Sequence, residues 1–144
     1  MLSVPPEFEV DTNDINSGAH ALIGYDVDLT AQDGTASVVL RVEPRHLNRN
    51  GTLHGGIIAM MLDAAAGFAA SRGDTVVGFA PVVTLSLNTS FVAAAREGMV
   101  VTSKGRISGG GASIVYAGAD LYDTDGVLLA LGSGVFKRIR KRAT

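Results

Sequence analysis

The stretch "NRNGTLHGGIIAMMLDAAAGFAAS" (residues 48–71) decides how the chain is read. From Gly55 to Ser71 it is long enough for about four to five helical turns. Within the quoted stretch Asp63 is the single acidic side chain and Arg49 the single Lys or Arg. Gly73, in "SRGD", supplies a helix stop just beyond it.

On both sides of this helix the pattern changes to strands. Upstream, Ala21 to Leu29 and Thr35 to Val42 alternate, and Asp33-Gly34 between them is a hairpin signal. Downstream, "VVTLSLNTSF" places Val83, Leu85, Leu87, Thr89 and Phe91 on one face, and Thr84, Ser86, Asn88 and Ser90 on the other. Three further strands fall in "GMVVTSKGRIS", "ASIVYAGADLYD" and "GVLLALGSGVFKRI", separated by "GGG" (109–111) and "DTDG" (123–126) as turns. The order is two strands, one helix, four strands. One helix cannot form a core alone, so the expected architecture is α+β, an antiparallel sheet of about six strands wrapped around a central helix.

Composition sets the outer bounds. At 144 residues and 47% hydrophobic the chain suits one domain with a single core. With 6% aromatic residues, no Trp and 18 Gly, that core must be built from Val, Ile, Leu and Ala. Residues 1–19 read as a polar arm, 20–139 as the domain and 140–144 as a basic tail. The first residues carry no secretory pattern, and Ile57 to Ala70 is too short to cross a bilayer, so a soluble cytoplasmic protein without membrane partners is expected. The absence of Cys excludes thiolate catalysis, and His20, His46 and His54 have no metal-binding spacing, so no metal is expected. "KRIRKR" (Lys137 to Arg142) holds five of the twelve basic residues; the remainder sets 7 Lys and Arg against 14 Asp and Glu. That acidic body argues against a nucleic-acid partner. The basic run is either a solvated end or a contact to a phosphorylated ligand.

At 100° per residue, Asp63 shares a helix face with Gly56, Ala59, Ala66, Gly67 and Ala70, with Met60 at its edge. Ile57, Ile58, Met61, Ala65 and Phe68 lie opposite, as the stripe expected to enter the sheet. A carboxylate among small residues can be solvated, paired with a distant Arg such as Arg41 or Arg106, or chemical. "HGG" opens the helix, where free N–H groups can hold a partial negative charge and Gly admits close approach, an arrangement suited to an oxyanion hole. His54 is either a cap or orienting residue or a proton carrier. Gly55 and Asp63 are separated by a rise of about 12 Å, too far to act on one carbonyl. If they act together, the spacing calls for a twofold dimer with antiparallel helices, giving two equal sites.

The pattern "N-R-N-G-T-L-H-G-G-(x)6-D", within this strand order, resembles the hotdog-fold acyl-CoA thioesterases, in particular their phenylacetyl-CoA-type (PaaI-like) branch. The resemblance covers roughly residues 20 to 139. It implies a sheet around a central helix, a homodimer and commonly a homotetramer, with acyl-CoA as substrate and no cofactor beyond the coenzyme A within it. It implies that Asn48 and Gly55 polarise the thioester carbonyl, while Asp63 of the neighbouring subunit activates water or attacks directly. Thr84 falls where the family places a hydroxyl, often Ser, that helps hold the water. His54 and Gly56 follow as substrate-site residues of the motif. Two alternatives use the same fold: an acyl-thioester hydratase or dehydratase, which needs a catalytic His, and a non-enzymatic acyl-CoA sensor.

Overall fold

The computed structural model describes residues 17–72 and 80–139. They form α1 (Gly18–Ile23), β1 (Asp26–Asp28), β2 (Ala36–Arg41), α2 (Gly55–Arg72), β3 (Val82–Phe91), β4 (Val100–Gly110), β5 (Ile114–Tyr122) and β6 (Leu128–Arg138). The strands make one antiparallel sheet in the order β1-β2-β4-β5-β6-β3. From β2 the chain passes through α2 to β3 at the far edge, then returns beside β2 as β4. A helix bridging both sides of a sheet in this way is covered only if the sheet curls around it, and α2 contacts every strand from β2 to β6. Among the described residues no helix is long and apolar enough to cross a membrane.

The sheet meets the helix most closely at Gly105 of β4. A Cβ there would run into the main-chain carbonyl of Ala65 and the nitrogen of Ala66. This approach turns the helix away from the orientation that side-chain size suggests. Ile58, Met61 and Ala65 of the expected stripe are buried, joined by Leu62, Ala66, Ala69 and Ala70, in a core with Val38, Val101, Leu121, Leu129 and Phe136, whereas Ile57 and Phe68 are half-exposed. Ala66 and Ala70 therefore belong to the core face, not to the face of Asp63. Small side chains lie inside because they let two backbones touch.

The Ala21 to Leu29 strand expected from alternation is corrected to a short helix and a three-residue strand. Ser17 Oγ accepts the His20 N–H at 3.1 Å as the N-cap of α1, and Gly24, at φ +83°, ends it by donating to the His20 carbonyl. The end of α1 is then tied to the loop that leads into α2. Arg45 donates to the Leu22 and Ile23 carbonyls at 2.9 and 3.1 Å. Buried His46 accepts the Glu43 N–H at Nδ1 and donates from Nε2 to the Ile23 carbonyl, so both ring nitrogens are engaged in structure. The hairpin at Asp33-Gly34 forms as expected: Gly34 has φ +86°, and Asp33 accepts both the N–H and the hydroxyl of Thr35. At the far end of α2, Arg138 donates to the Ala70 carbonyl, and Arg72 donates to the Thr35 and Ala31 carbonyls. The expected stop at Gly73 lies outside the described residues, as do most of the arm and all of the 140–144 tail.

Strand β3 holds the second correction. Its register against β6 slips between Thr84 and Ser86, leaving Leu85 as an extra residue in a bulge. Thr84 pairs with Phe136 and Leu87 with Gly134, both buried positions of β6, so Thr84 shares the helix-facing side with Leu87, Thr89 and Phe91. Strict alternation had put Thr84 on the opposite face.

Candidate active site

The bulge has an immediate effect on Asp63. With Thr84 turned toward the helix, its hydroxyl donates to Asp63 Oδ1 at 2.7 Å, within one chain. Asp63 is half-buried and has no ion-pair partner among the described residues. The two arginines considered for it are engaged elsewhere: Arg41 reaches the Gly98 carbonyl, and Arg106 pairs with Asp120 at 3.1 Å on the sheet's outer face. A hydroxyl that donates to one carboxylate oxygen fixes the plane of the group and leaves the second oxygen available to water.

The start of α2 is organised by His54 and the loop before it. His54 Nδ1 accepts the Gly56 N–H at 2.8 Å, which places the ring proton on Nε2. Its carbonyl accepts the Ile57 and Ile58 N–H groups at 3.0 and 3.1 Å. Of the first four helical N–H groups, only that of Gly55 has no hydrogen-bond partner among the described residues. His54 is thus a cap, one of the two roles its sequence position left open. The ring also explains Gly56, where a Cβ would lie 3.0 Å from His54 Nδ1. Asn48 closes the preceding loop: Oδ1 accepts the N–H groups of Asn50 and Thr52 at 2.9 and 3.1 Å, and Nδ2 donates to Thr52 Oγ1 at 3.0 Å. One hydrogen of its amide remains unassigned within the loop.

Asp63 and Thr84 open onto a groove of about 570 Å³. Its walls are Met60, Ala64 and Phe68 from α2, Val82 from β3 and Phe136 from β6, with Tyr25 and the start of α1 on the other side. Apolar walls with a few convergent polar groups are the usual form of a small-molecule site. Residues 50–130 match the family model of the Thioesterase superfamily. The chain belongs to this superfamily.

Similarity to individual members is spread along the domain. Mouse acyl-coenzyme A thioesterase 13 is 32% identical over 97 residues, which is 65% of this chain and 65% of that protein. Among solved structures, the PaaI protein of the phenylacetic acid degradation operon of E. coli superposes with a TM-score of 0.77 at 20% identity, covering 90% of this chain and 89% of its own. Protein PA5202 of Pseudomonas aeruginosa superposes with a TM-score of 0.79 at 28% identity, covering 90% and 99%. The enzyme is therefore a PaaI-like thioester hydrolase on the hotdog fold, an antiparallel six-stranded sheet with one long helix.

Two aromatic residues of this thioesterase were not singled out from sequence. Phe91, at the end of β3, lies over the helix start, where a Cβ on Gly55 would meet its ring at 3.4 Å. Tyr25 borders the groove, its ring stacked on His20 with centroids 4.2 Å apart and an interplanar angle of 7°. Burial, and after it the negative charge of Asp63, raises the Tyr25 phenol above its ordinary 10.0. The one available signal for Phe91 was its place on the clearest strand. Tyr25 was hidden in a run whose alternation imitates a strand.

Proposed function

We propose that this thioesterase hydrolyses acyl-CoA esters to the free acid and coenzyme A, with Asp63 as general base. The observation that carries the reading is the Thr84 to Asp63 hydrogen bond at the head of an apolar groove. The acyl group lies along Met60, Ala64, Phe68 and Val82, which brings its carbonyl carbon to the carboxylate end. Asp63 removes a proton from water as the water oxygen adds to that carbon, and collapse of the adduct breaks the C–S bond. The coenzyme A thiolate is a good leaving group, so no dedicated acid and no cofactor enter the scheme.

The developing oxyanion needs donors that this end of α2 does not supply. We assign that role to the Gly55 N–H and the spare amide hydrogen of Asn48 from a second subunit, in a dimer that sets two α2 helices antiparallel. Two features support the assignment. The Gly55 N–H has no partner among the described residues and lies at the positive end of an 18-residue helix. β3 is an edge strand bearing exposed Leu85 and Phe91, an edge that natural proteins seldom leave uncovered. Exposed Val83, Tyr116 and Leu131 on the outer sheet face offer an apolar surface for joining dimers into a tetramer.

His54 also bears on the choice among related chemistries. With Nδ1 holding the Gly56 N–H, its ring accepts a substrate proton only by giving up the helix cap, which favours hydrolysis over a His-based hydration. The test is thiol release from a panel of aromatic and aliphatic acyl-CoA esters by wild type, Asp63→Asn and Asp63→Ala. Hydrolysis of at least one ester is expected, slowed in both variants to a small residual rate. Acyl-CoA binding with no thiol released by wild type would make the protein a sensor instead.

A further inference from the structure

The groove holds a second hydroxyl besides that of Thr84. Tyr25 is only 6% exposed, and two contacts from α1 hold it: the stack of its ring on His20, and His20 Nε2 at its main-chain carbonyl. Those contacts fix the ring and leave its tip uncommitted. The phenol oxygen has no hydrogen-bond partner among the described residues, yet it is not among the polar atoms sealed from solvent. Buried tyrosines ordinarily place the hydroxyl on a partner, because losing water without replacement is costly. A tyrosine held rigidly at the edge of a groove, with an unpartnered hydroxyl, takes its partner from whatever fills the groove. Asp63 and Thr84 line the same groove as Tyr25, and no hydrogen bond joins the Asp63 carboxylate to the phenol. The raised proton affinity keeps the phenol a donor at neutral pH.

We infer that Tyr25 is a positioning residue for hydrolysis: its phenol donates to the oxygen of the attacking water while that water donates to Asp63. This rests on the reading of Asp63 as general base. Thr84 orients the carboxylate, and Tyr25 orients the water. With one lone pair of the water held by the phenol and one hydrogen held by the carboxylate, the other lone pair faces the thioester carbon. As the O–C bond forms, the proton passes to Asp63. The C–S bond then breaks, coenzyme A leaves as the thiolate, and Asp63 returns its proton to solvent.

Tyr25→Phe keeps the ring on His20 and removes only the hydroxyl. The expected result is a kcat about tenfold lower, with KM for the same ester within about twofold of wild type and an unchanged melting temperature. The double variant Asp63→Asn/Tyr25→Phe should be no slower than Asp63→Asn alone, because the two residues act through one water. A wild-type kcat in Tyr25→Phe overturns the assignment. So does a raised KM with unchanged kcat, which would make Tyr25 a wall of the acyl site, and so does an independent multiplicative loss in the double variant. If wild type releases thiol from no ester, the hydrolytic reading fails and the assignment falls with it. If Asp63→Asn is inactive and Tyr25→Phe is unaffected, only the assignment fails.

Discussion

Toward β4, α2 packs backbone against backbone, with Gly105 seated on the Ala65 carbonyl and alanines filling the contact. Toward β3 the same helix leaves Met60, Asp63, Ala64 and Phe68 half-buried along an open groove. The first flank tolerates no added atom, and the second is built to receive some. The contrast teaches that stability and chemistry are carried by opposite sides of one helix, so substitutions on the groove side should cost turnover and leave stability in place.

The sharpest way to break that separation is Asp63→Asn. Its kcat should fall about a thousandfold, equivalent to about 4 kcal/mol in the barrier, while its urea midpoint stays at or above that of wild type. A stability loss of similar size would place Asp63 among the structural residues. Gly105→Ala tests the other flank, because its methyl group must push α2 off the sheet. A loss of about 3 kcal/mol in denaturant unfolding is expected, and a wild-type midpoint would show that the helix is not seated there. Thr84→Val keeps the strand and removes the donor to Asp63. An approximately tenfold lower kcat without a change in melting temperature is expected, and equal losses in both would move Thr84 to the structural side. His54→Ala should lower stability by about 1 kcal/mol through loss of the cap. Its kcat should change less than that of Thr84→Val, which steady-state kinetics beside thermal melts will resolve.

The smallest effect belongs to a hairpin remote from both flanks. The Asp33 carboxyl is held below its ordinary 3.8, first by the Thr35 hydroxyl and then by the Thr35 N–H. A depressed folded-state value contributes stability above the unfolded value and loses it as pH falls through the folded one. Thr35→Val should raise the Asp33 midpoint in an NMR titration and leave thiol release untouched.

Much of this arrangement was legible in the sequence, and the failures have physical causes. The helix from Gly55 and the order of the larger strands could be read from periodicity, and Gly55 and Asp63 stood out by their spacing in that helix, whereas Asn48 and Thr84 were named only through the family resemblance. The rotation of α2 could not, because hydropathy assumes that bulky residues face inward, whereas Gly105 draws the alanines in and leaves Ile57 and Phe68 at the flanks. The meeting of Thr84 with Asp63 was hidden for a different reason. Leu85 keeps the apolar alternation of "VVTLSL" intact, so nothing in the pattern marks it as the residue that bulges. α1 depends on two flanking residues, Ser17 and Gly24, whose effect on the backbone outweighs the alternation between them. Tyr25 acquires its place through the stack on His20 and the His20 contact to its carbonyl, both made by that helix.

Gly105 carries a consequence for the far side of the helix. A cylinder seated in a notch cannot turn, and the notch here is an absent methyl group on β4. Each degree of roll in α2 would swing the Asp63 carboxylate along an arc, away from the Thr84 hydroxyl. The aim of the catalytic group is thereby set by a missing atom on the opposite side of the helix axis. Gly105→Ala, where it still folds, should act as a misaligned sight, lowering turnover by displacing a carboxylate it never touches.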